Sequence, residues 1–138
     1  MKTIIRSLII DADVIIRGER GLFDLPSWLE MQADKSPQIA AITVAELWHG
    51  VERATGIYKL RREAYLQMII EALPIVPYTE STAIEHARLW ASLEASRKMI
   101  GFYDLIVAAT ALEGGSAVAT FNTRHFSQVR GLNVIEPK

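Results

Sequence analysis

Asp11 and Asp13 stand two residues apart directly after the apolar run Leu8-Ile9-Ile10, Glu46 follows a second apolar segment, and Asp104 opens a third. If folding brings these four carboxylates together, they repel one another, and their pKa values climb until some take up protons. A divalent cation removes that penalty. Cysteine is absent, so disulfides, thiolate nucleophiles and cysteine-ligated zinc are excluded, and hard oxygen ligands point to Mg²⁺ or Mn²⁺. Such an ion activates water for attack on phosphorus and neutralises charge on the scissile phosphate and leaving oxygen, so the chemistry suggested is phosphodiester hydrolysis.

Each acid also has a structural reading. Asp11 and Asp13 sit where a strand turns into a helix, and aspartate is a preferred helix cap. Thr43-Val44-Ala45-Glu46 matches a capping box, with threonine at the cap and glutamate three positions on. Asp104 falls in the first turn of the apolar helix Phe102 to Leu112, where negative charge complements the helix dipole. Capping and metal binding are compatible roles, because an ionised carboxyl group has lone pairs to spare.

The elements that must position these residues alternate between strand and helix. Ser7–Ile10 reads as a strand buried on both faces, and Gln38–Ile42 as a second. Leu73–Val76, flanked by Pro74 and Pro77, suits a sheet edge; Ala117–Ala119 reads as a central strand and Leu132–Ile135 as the last. Helices are expected from about Leu22 to Ala33, from Thr43 through Val51, and from Tyr58 to Ala72 with Leu60, Ala64, Met68 and Ile69 as its apolar face. Thr79 caps a further helix that presents Ala83, Ile84, Ala87, Trp90, Ala91 and Leu93, and the helix from Phe102 stops at Gly114-Gly115. Thr120 to His125 is expected to be a loop. The alternation predicts an α/β fold, a three-layer α/β/α sandwich on a mainly parallel sheet, whose ligands sit beyond the carboxyl ends of the strands, where Asp11, Thr43 to Glu46 and Thr120 to Asn122 fall.

The 138 residues are half apolar, enough for one sizeable core, and no linker or repeat divides them, so residues 1–138 are expected to form one domain. The net charge of -1 gives no basic surplus for sequence-independent nucleic-acid binding, so any RNA contact is local or helped by metal. The N-terminal apolar run is interrupted by Arg6 and ends at Asp11, too short and too charged for a signal peptide or membrane span, so a cytoplasmic protein is expected.

Four ordered segments carry a resemblance. Leu8-Ile9-Ile10-Asp11-Ala12-Asp13-Val14-Ile15, Ala41 through Val51 around Thr43 and Glu46, Tyr103-Asp104-Leu105-Ile106-Val107-Ala108-Ala109-Thr110 and Ala119-Thr120-Phe121-Asn122-Thr123-Arg124-His125-Phe126 together resemble the PIN-domain family, and within it the VapC-type toxins of toxin–antitoxin pairs. The likeness implies a Mg²⁺- or Mn²⁺-dependent endoribonuclease, a cognate VapB-type antitoxin that blocks the active site, and a homodimer. It makes Asp11, Glu46 and Asp104 the core acidic residues, with Asp13 and Asn122 completing the metal set. Asp13 stands where asparagine is common, Asn122 where aspartate is frequent, and His125 where another acid is frequent. Thr120 orients water or phosphate in the family manner, against the plainer role of a local hydrogen-bonding threonine. Arg17, Arg20 and Arg124 lie near the expected crevice and could grip phosphate bidentately, while His125, with no metal-ligand spacing to His49 or His86, reads as a loop histidine. Trp28, Trp48 and Trp90 fall at apolar helical positions and are expected in the core.

Two other readings stand beside this one. Asp11-Ala12-Asp13-Val14 also resembles the nucleophile motif of haloacid-dehalogenase-type phosphatases, in which Asp11 would form a phosphoaspartate, but that scheme needs a downstream lysine and further acids, and after Asp104 the chain has no Asp and no lysine until Lys138. The other is a non-catalytic PIN module, disabled at Asn122, that binds RNA or protein.

Overall fold

Leu8, Ile9 and Ile10 are all buried, and their side chains divide between two cores: Ile9 enters one hydrophobic cluster, Leu8 and Ile10 the other. Only a strand covered on both faces does this, because successive side chains point to opposite sides. The computed structural model describes residues 4–138. Its strands are β1 (Leu8–Ile10), β2 (Pro37–Ala40), β3 (Ile75–Val76), β4 (Ala117–Ala119) and β5 (Val134–Ile135). They form one parallel sheet in the order β3-β2-β1-β4-β5, the α/β/α sandwich expected from the sequence.

The helices are α1 (Ala12–Glu19), α2 (Leu25–Met31), α3 (Ala41–Arg53), α4 (Gly56–Ala72), α5 (Glu80–Ala95), α6 (Phe102–Gly114) and the single turn α7 (Thr123–Phe126). A 3₁₀ turn, Ala33–Lys35, precedes β2. On one face Leu89 and Leu93 of α5 and Leu105, Val107 and Ala108 of α6 pack on Ile9 and Val118; on the other, Val14 and Ile15 of α1, Leu25 and Trp28 of α2 and Ile69 of α4 pack on Leu8 and Ile10. From β1 the chain steps outward through β2 to the edge strand β3, then crosses to β4 on the other side of β1. That reversal opens a crevice at the carboxyl ends of β1 and β4. Gly115, left-handed at φ 66°, ends α6 as the paired glycines predicted.

Several boundaries and faces differ from expectation. The expected strand Gln38–Ile42 ends at Ala40, and α3 starts at once with Ala40 as its cap and no side-chain capping bond. Thr43 and Glu46 therefore lie inside the helix, and they form no capping box. The box occurs instead at Thr79 and Thr82, heading α5. Leu60 and Met68 of α4 are exposed, because the buried stripe runs through Leu66, Ile69 and the following Leu73. The buried stripe of α5 is Thr82, His86, Leu89 and Leu93, which leaves Ile84 and Trp90 half exposed. Trp28 is in the core; Trp48 is partly covered and donates to Glu52 Oε1 at 3.3 Å. The expected loop Thr120 to His125 contains α7, pinned by the fully buried Phe126.

At Gly18 in α1, an added Cβ would lie 2.8 Å from Leu25 Cβ and 2.9 Å from Tyr65 Oη. Gly to Ala within a helix ordinarily stabilises by up to about 1 kcal/mol, but Leu25 Cβ moves only with its backbone, so overpacking reverses the sign. Chemical denaturation of Gly18→Ala is expected to show a loss of about 1–3 kcal/mol.

Candidate active site

At the crevice, Asp11 follows β1 and is tied across the sheet by its N–H to Ala119 O at 2.9 Å. It caps α1, with Oδ1 accepting from Ala12 N at 2.9 Å, which leaves Oδ2 turned toward β4. Oδ2 accepts a 2.8 Å bond from the hydroxyl of Thr120, the residue that directly follows β4 and is fully buried. Asp11 is only 5% exposed. The local capping role expected of Asp11 is thus real, and the same carboxyl group also faces the crevice.

Asp13 lies in the first turn of α1. Its Oδ2 accepts from Phe121 N at 3.1 Å, and its two oxygens approach Thr120 Oγ1 at 3.4 and 3.3 Å. A threonine hydroxyl has one proton. Asp11 makes the shortest contact, so Asp13 and Asp11 crowd a single donor. That hydroxyl in turn accepts from Asn122 N at 2.9 Å, an arrangement that folds the post-β4 turn back over the acids.

Asp104, in the first turn of α6, enters from the opposite side of the crevice. Asn122 Nδ2 donates to its Oδ2 at 3.3 Å and lies 2.9 Å from His125 Nδ1, which is itself 3.5 Å from Asp104 Oδ2. His125, read from sequence as a loop histidine, therefore belongs to the site. The signal that could have found it is its place three residues after Asn122 and directly before an apolar anchor, Phe126, which together form one helical turn. Glu46, on α3, completes the group: its Oε1 is buried without a hydrogen-bond partner, as is Thr43 Oγ1 one turn earlier. A cleft beside Glu46 is lined by Arg20, Arg62 and Tyr65 among others.

Electrostatics bind the four acids into one unit. Burial, then the charges of Asp13 and Asp104, push Asp11 up to about 7 despite the Thr120 bond. Burial, then Asp11, Asp104 and Asp13, push Glu46 up to about 7. Burial also raises Asp13, against the bond from Phe121 N and the nearby charge of Arg17. Arg17 is exposed and lies over the Phe121 ring, 4.2 Å from its centroid. Arg124 is exposed on α7, and Arg20 is exposed at the end of α1. The sequence-predicted acids therefore converge, while Arg17, Arg20 and Arg124 form no salt bridge among the described residues.

A carboxyl group whose pKa is higher folded than unfolded holds more protons in the folded state between the two values, so stability falls as pH rises through that window. For Asp11 and Glu46 the window runs from their ordinary values, 3.8 and 4.5, up to about 7. The metal-free protein is expected to melt at lower temperature at pH 8 than at pH 5.5. Thermal denaturation in chelator should show Asp11→Asn flattening that dependence.

Residues 8–132 match the family model described as PIN domain. Ribonuclease VapC1 of Rickettsia felis is 32% identical over 130 residues, covering 93% of this chain and 94% of that protein. The crystal structure of VapBC2 from Rickettsia felis, bound to a promoter DNA fragment, superposes with a TM-score of 0.87 at 21% identity, covering 95% of this chain and 98% of that one. That of FitAcB from Neisseria gonorrhoeae gives 0.79 at 29% identity, covering 94% and 97%. A family match over nearly the whole chain, relatives of like length, and the acids gathered at the carboxyl ends of β1 and β4 agree: the chain belongs to the PIN domain family, among its VapC members.

Proposed function

We propose that residues 1–138 act as one catalytic unit, a VapC-type endoribonuclease toxin that requires Mg²⁺ or Mn²⁺, with Asp11, Glu46 and Asp104 as catalytic acids. The convergence of those acids with Asp13, in a relative of a ribonuclease VapC, is the observation that carries this reading.

The residues present fit a divalent cation. Four acids share one crevice, two are pushed up to about 7 when nothing neutralises them, and Glu46 Oε1 is buried with no donor. Among the described residues no three acidic or histidine side chains close into a cage around one point. A hard divalent cation bound through one or two carboxylates, with waters and substrate phosphates in the remaining positions, needs no such cage. Asp11, Asp13, Glu46 and Asp104 would hold the ion, with Asn122 offering its amide oxygen after rotation. When bound, the ion supplies an activated water and charge neutralisation at the scissile phosphate.

The chain's own residues supply order around that chemistry. Ala12 N and Thr120 Oγ1 fix the two oxygens of Asp11, Phe121 N fixes Asp13, and Asn122 orients Asp104. Arg17, beside Asp13, and Arg124, on α7 next to His125, are exposed and would hold phosphates of an RNA strand that the acids alone would repel. A VapB-type antitoxin is the protein partner this reading assigns, in keeping with the VapBC complexes among the structural neighbours. A second copy of the chain is assigned as well, for which half-exposed Ile84 and Trp90 on α5 provide apolar surface. No helix among the described residues is long and apolar enough to cross a membrane.

Burial of Asp11 behind Thr120, and its coupling to three other acids, favour this reading over a phosphoaspartate scheme, which needs an accessible nucleophile. Asp11→Asn and Asp104→Asn are expected to cut structured RNA, in Mg²⁺ or Mn²⁺, more slowly than wild type by over about 100-fold, beyond the usual reach of changes behind a metal site. Both should keep wild-type circular dichroism. Undiminished cleavage by either variant would remove that residue from the mechanism, and phosphate release from small esters without RNA cutting would favour the phosphatase. Thr120→Val removes the donor while keeping the shape, so cation affinity measured by calorimetry should fall about 10–100-fold, with Thr120→Ser closer to wild type.

A further inference from the structure

Asn122 has two amide hydrogens and two neighbours that want one each. Its Nδ2 donates to Asp104 Oδ2 at 3.3 Å and lies 2.9 Å from His125 Nδ1. In the tautomer that carries its proton on Nε2, His125 Nδ1 accepts the second amide hydrogen, and its lone pair and one on Asp104 Oδ2, 3.5 Å apart, both face the asparagine amide. Adjacent ligands of an octahedral ion at about 2.1 Å lie about 3.0 Å apart. The observed separation is within a small side-chain adjustment of that span.

His125 is held there by the fold. It sits on α7 immediately before Phe126, which is fully buried in the core that lies under α6. The side chain itself is about half exposed, with a relative area of 48%, so it can turn without disturbing that anchor. The other two histidines are elsewhere: His49 is exposed on α3, and His86 is buried in α5 with its Nδ1 against Tyr78 Oη at 2.8 Å.

Resting on the cation-dependent reading above, we propose that His125 is a nitrogen ligand on the Asp104 side of the site, and that it makes the protein select a first-row transition cation over Mg²⁺. Imidazole nitrogen binds such ions well, whereas Mg²⁺ keeps to carboxylate, carbonyl and water oxygen. At a position where an acid would leave an all-oxygen set open to Mg²⁺, the imidazole adds a ligand that only the softer ions use. Asn122 is then a placeholder: it bonds both ligands in the metal-free protein and yields them to the ion.

The test uses the full chain, stripped of metal and titrated separately with Mn²⁺ and Mg²⁺ by calorimetry, with pulsed electron paramagnetic resonance on the Mn²⁺ form. Wild type should bind Mn²⁺ more tightly than Mg²⁺ and show ¹⁴N coupling from one histidine. His125→Gln should lose that coupling and weaken Mn²⁺ binding about tenfold or more while Mg²⁺ affinity stays put. His125→Asp should also lose the coupling and narrow the gap by strengthening Mg²⁺. Bound Mn²⁺ without nitrogen coupling in wild type, or coupling that survives His125→Gln, would overturn the assignment of His125 and leave the nuclease reading standing. No Mn²⁺ or Mg²⁺ uptake by the wild-type chain would overturn both.

Discussion

Mutual repulsion among four acids, confined where water cannot fully screen it, is the constraint around which this molecule is built. Asp11 is nearly inaccessible and Thr120 wholly so, yet one hydroxyl proton stands between Asp11 and Asp13. A low-dielectric setting makes each carboxylate costly to ionise, and each additional charge makes it costlier. Such a cluster persists in a folded chain only where the surrounding elements leave it no alternative position. Here β1 and β4 are paired over Leu8–Ile10 and Ala117–Ala119, and Asp11 N is bonded to Ala119 O, so the loops that carry the acids begin from fixed points.

Economy of side chains marks the site. Asp11 caps α1 with one oxygen and faces the crevice with the other, so its helix-forming role and its chemical role use different atoms. Thr120 directly follows a strand, donates to an acid and accepts from the backbone of Asn122, which sets the turn leading to α7. Such sharing means that the stability of α1 and of the β4 turn is coupled to the ionisation of the site. Fold and chemistry cannot be altered independently at these positions.

On the Asp104 side of the site, Asn122 and His125 stand together against the acid. An amide and an imidazole there lower the local negative charge and exchange oxygen donors for nitrogen.

The sequence by itself determined the layered α/β architecture, because apolar runs of three or four residues between amphipathic helices can be satisfied only by strands buried on both faces. It also marked Asp11, Glu46 and Asp104 as candidates, while leaving each a capping or helix-dipole role as an alternative. It misjudged where α3 begins, because Thr43 and Glu46 carry the local pattern of a capping box, while the pairing of Ile39 and Ala40 with β3 places the strand end earlier. It likewise misplaced the faces of α4 and α5, where Leu60, Met68, Ile84 and Trp90 are apolar but point away from the layers they pack on. It read His125 as a loop histidine, because contact with Asp104, 21 positions away, depends on how α7 docks on α6. Periodicity and residue type are local and survive in one dimension; which atoms share a proton or face one ion is settled only when distant segments are packed, and so only the tertiary structure decided it.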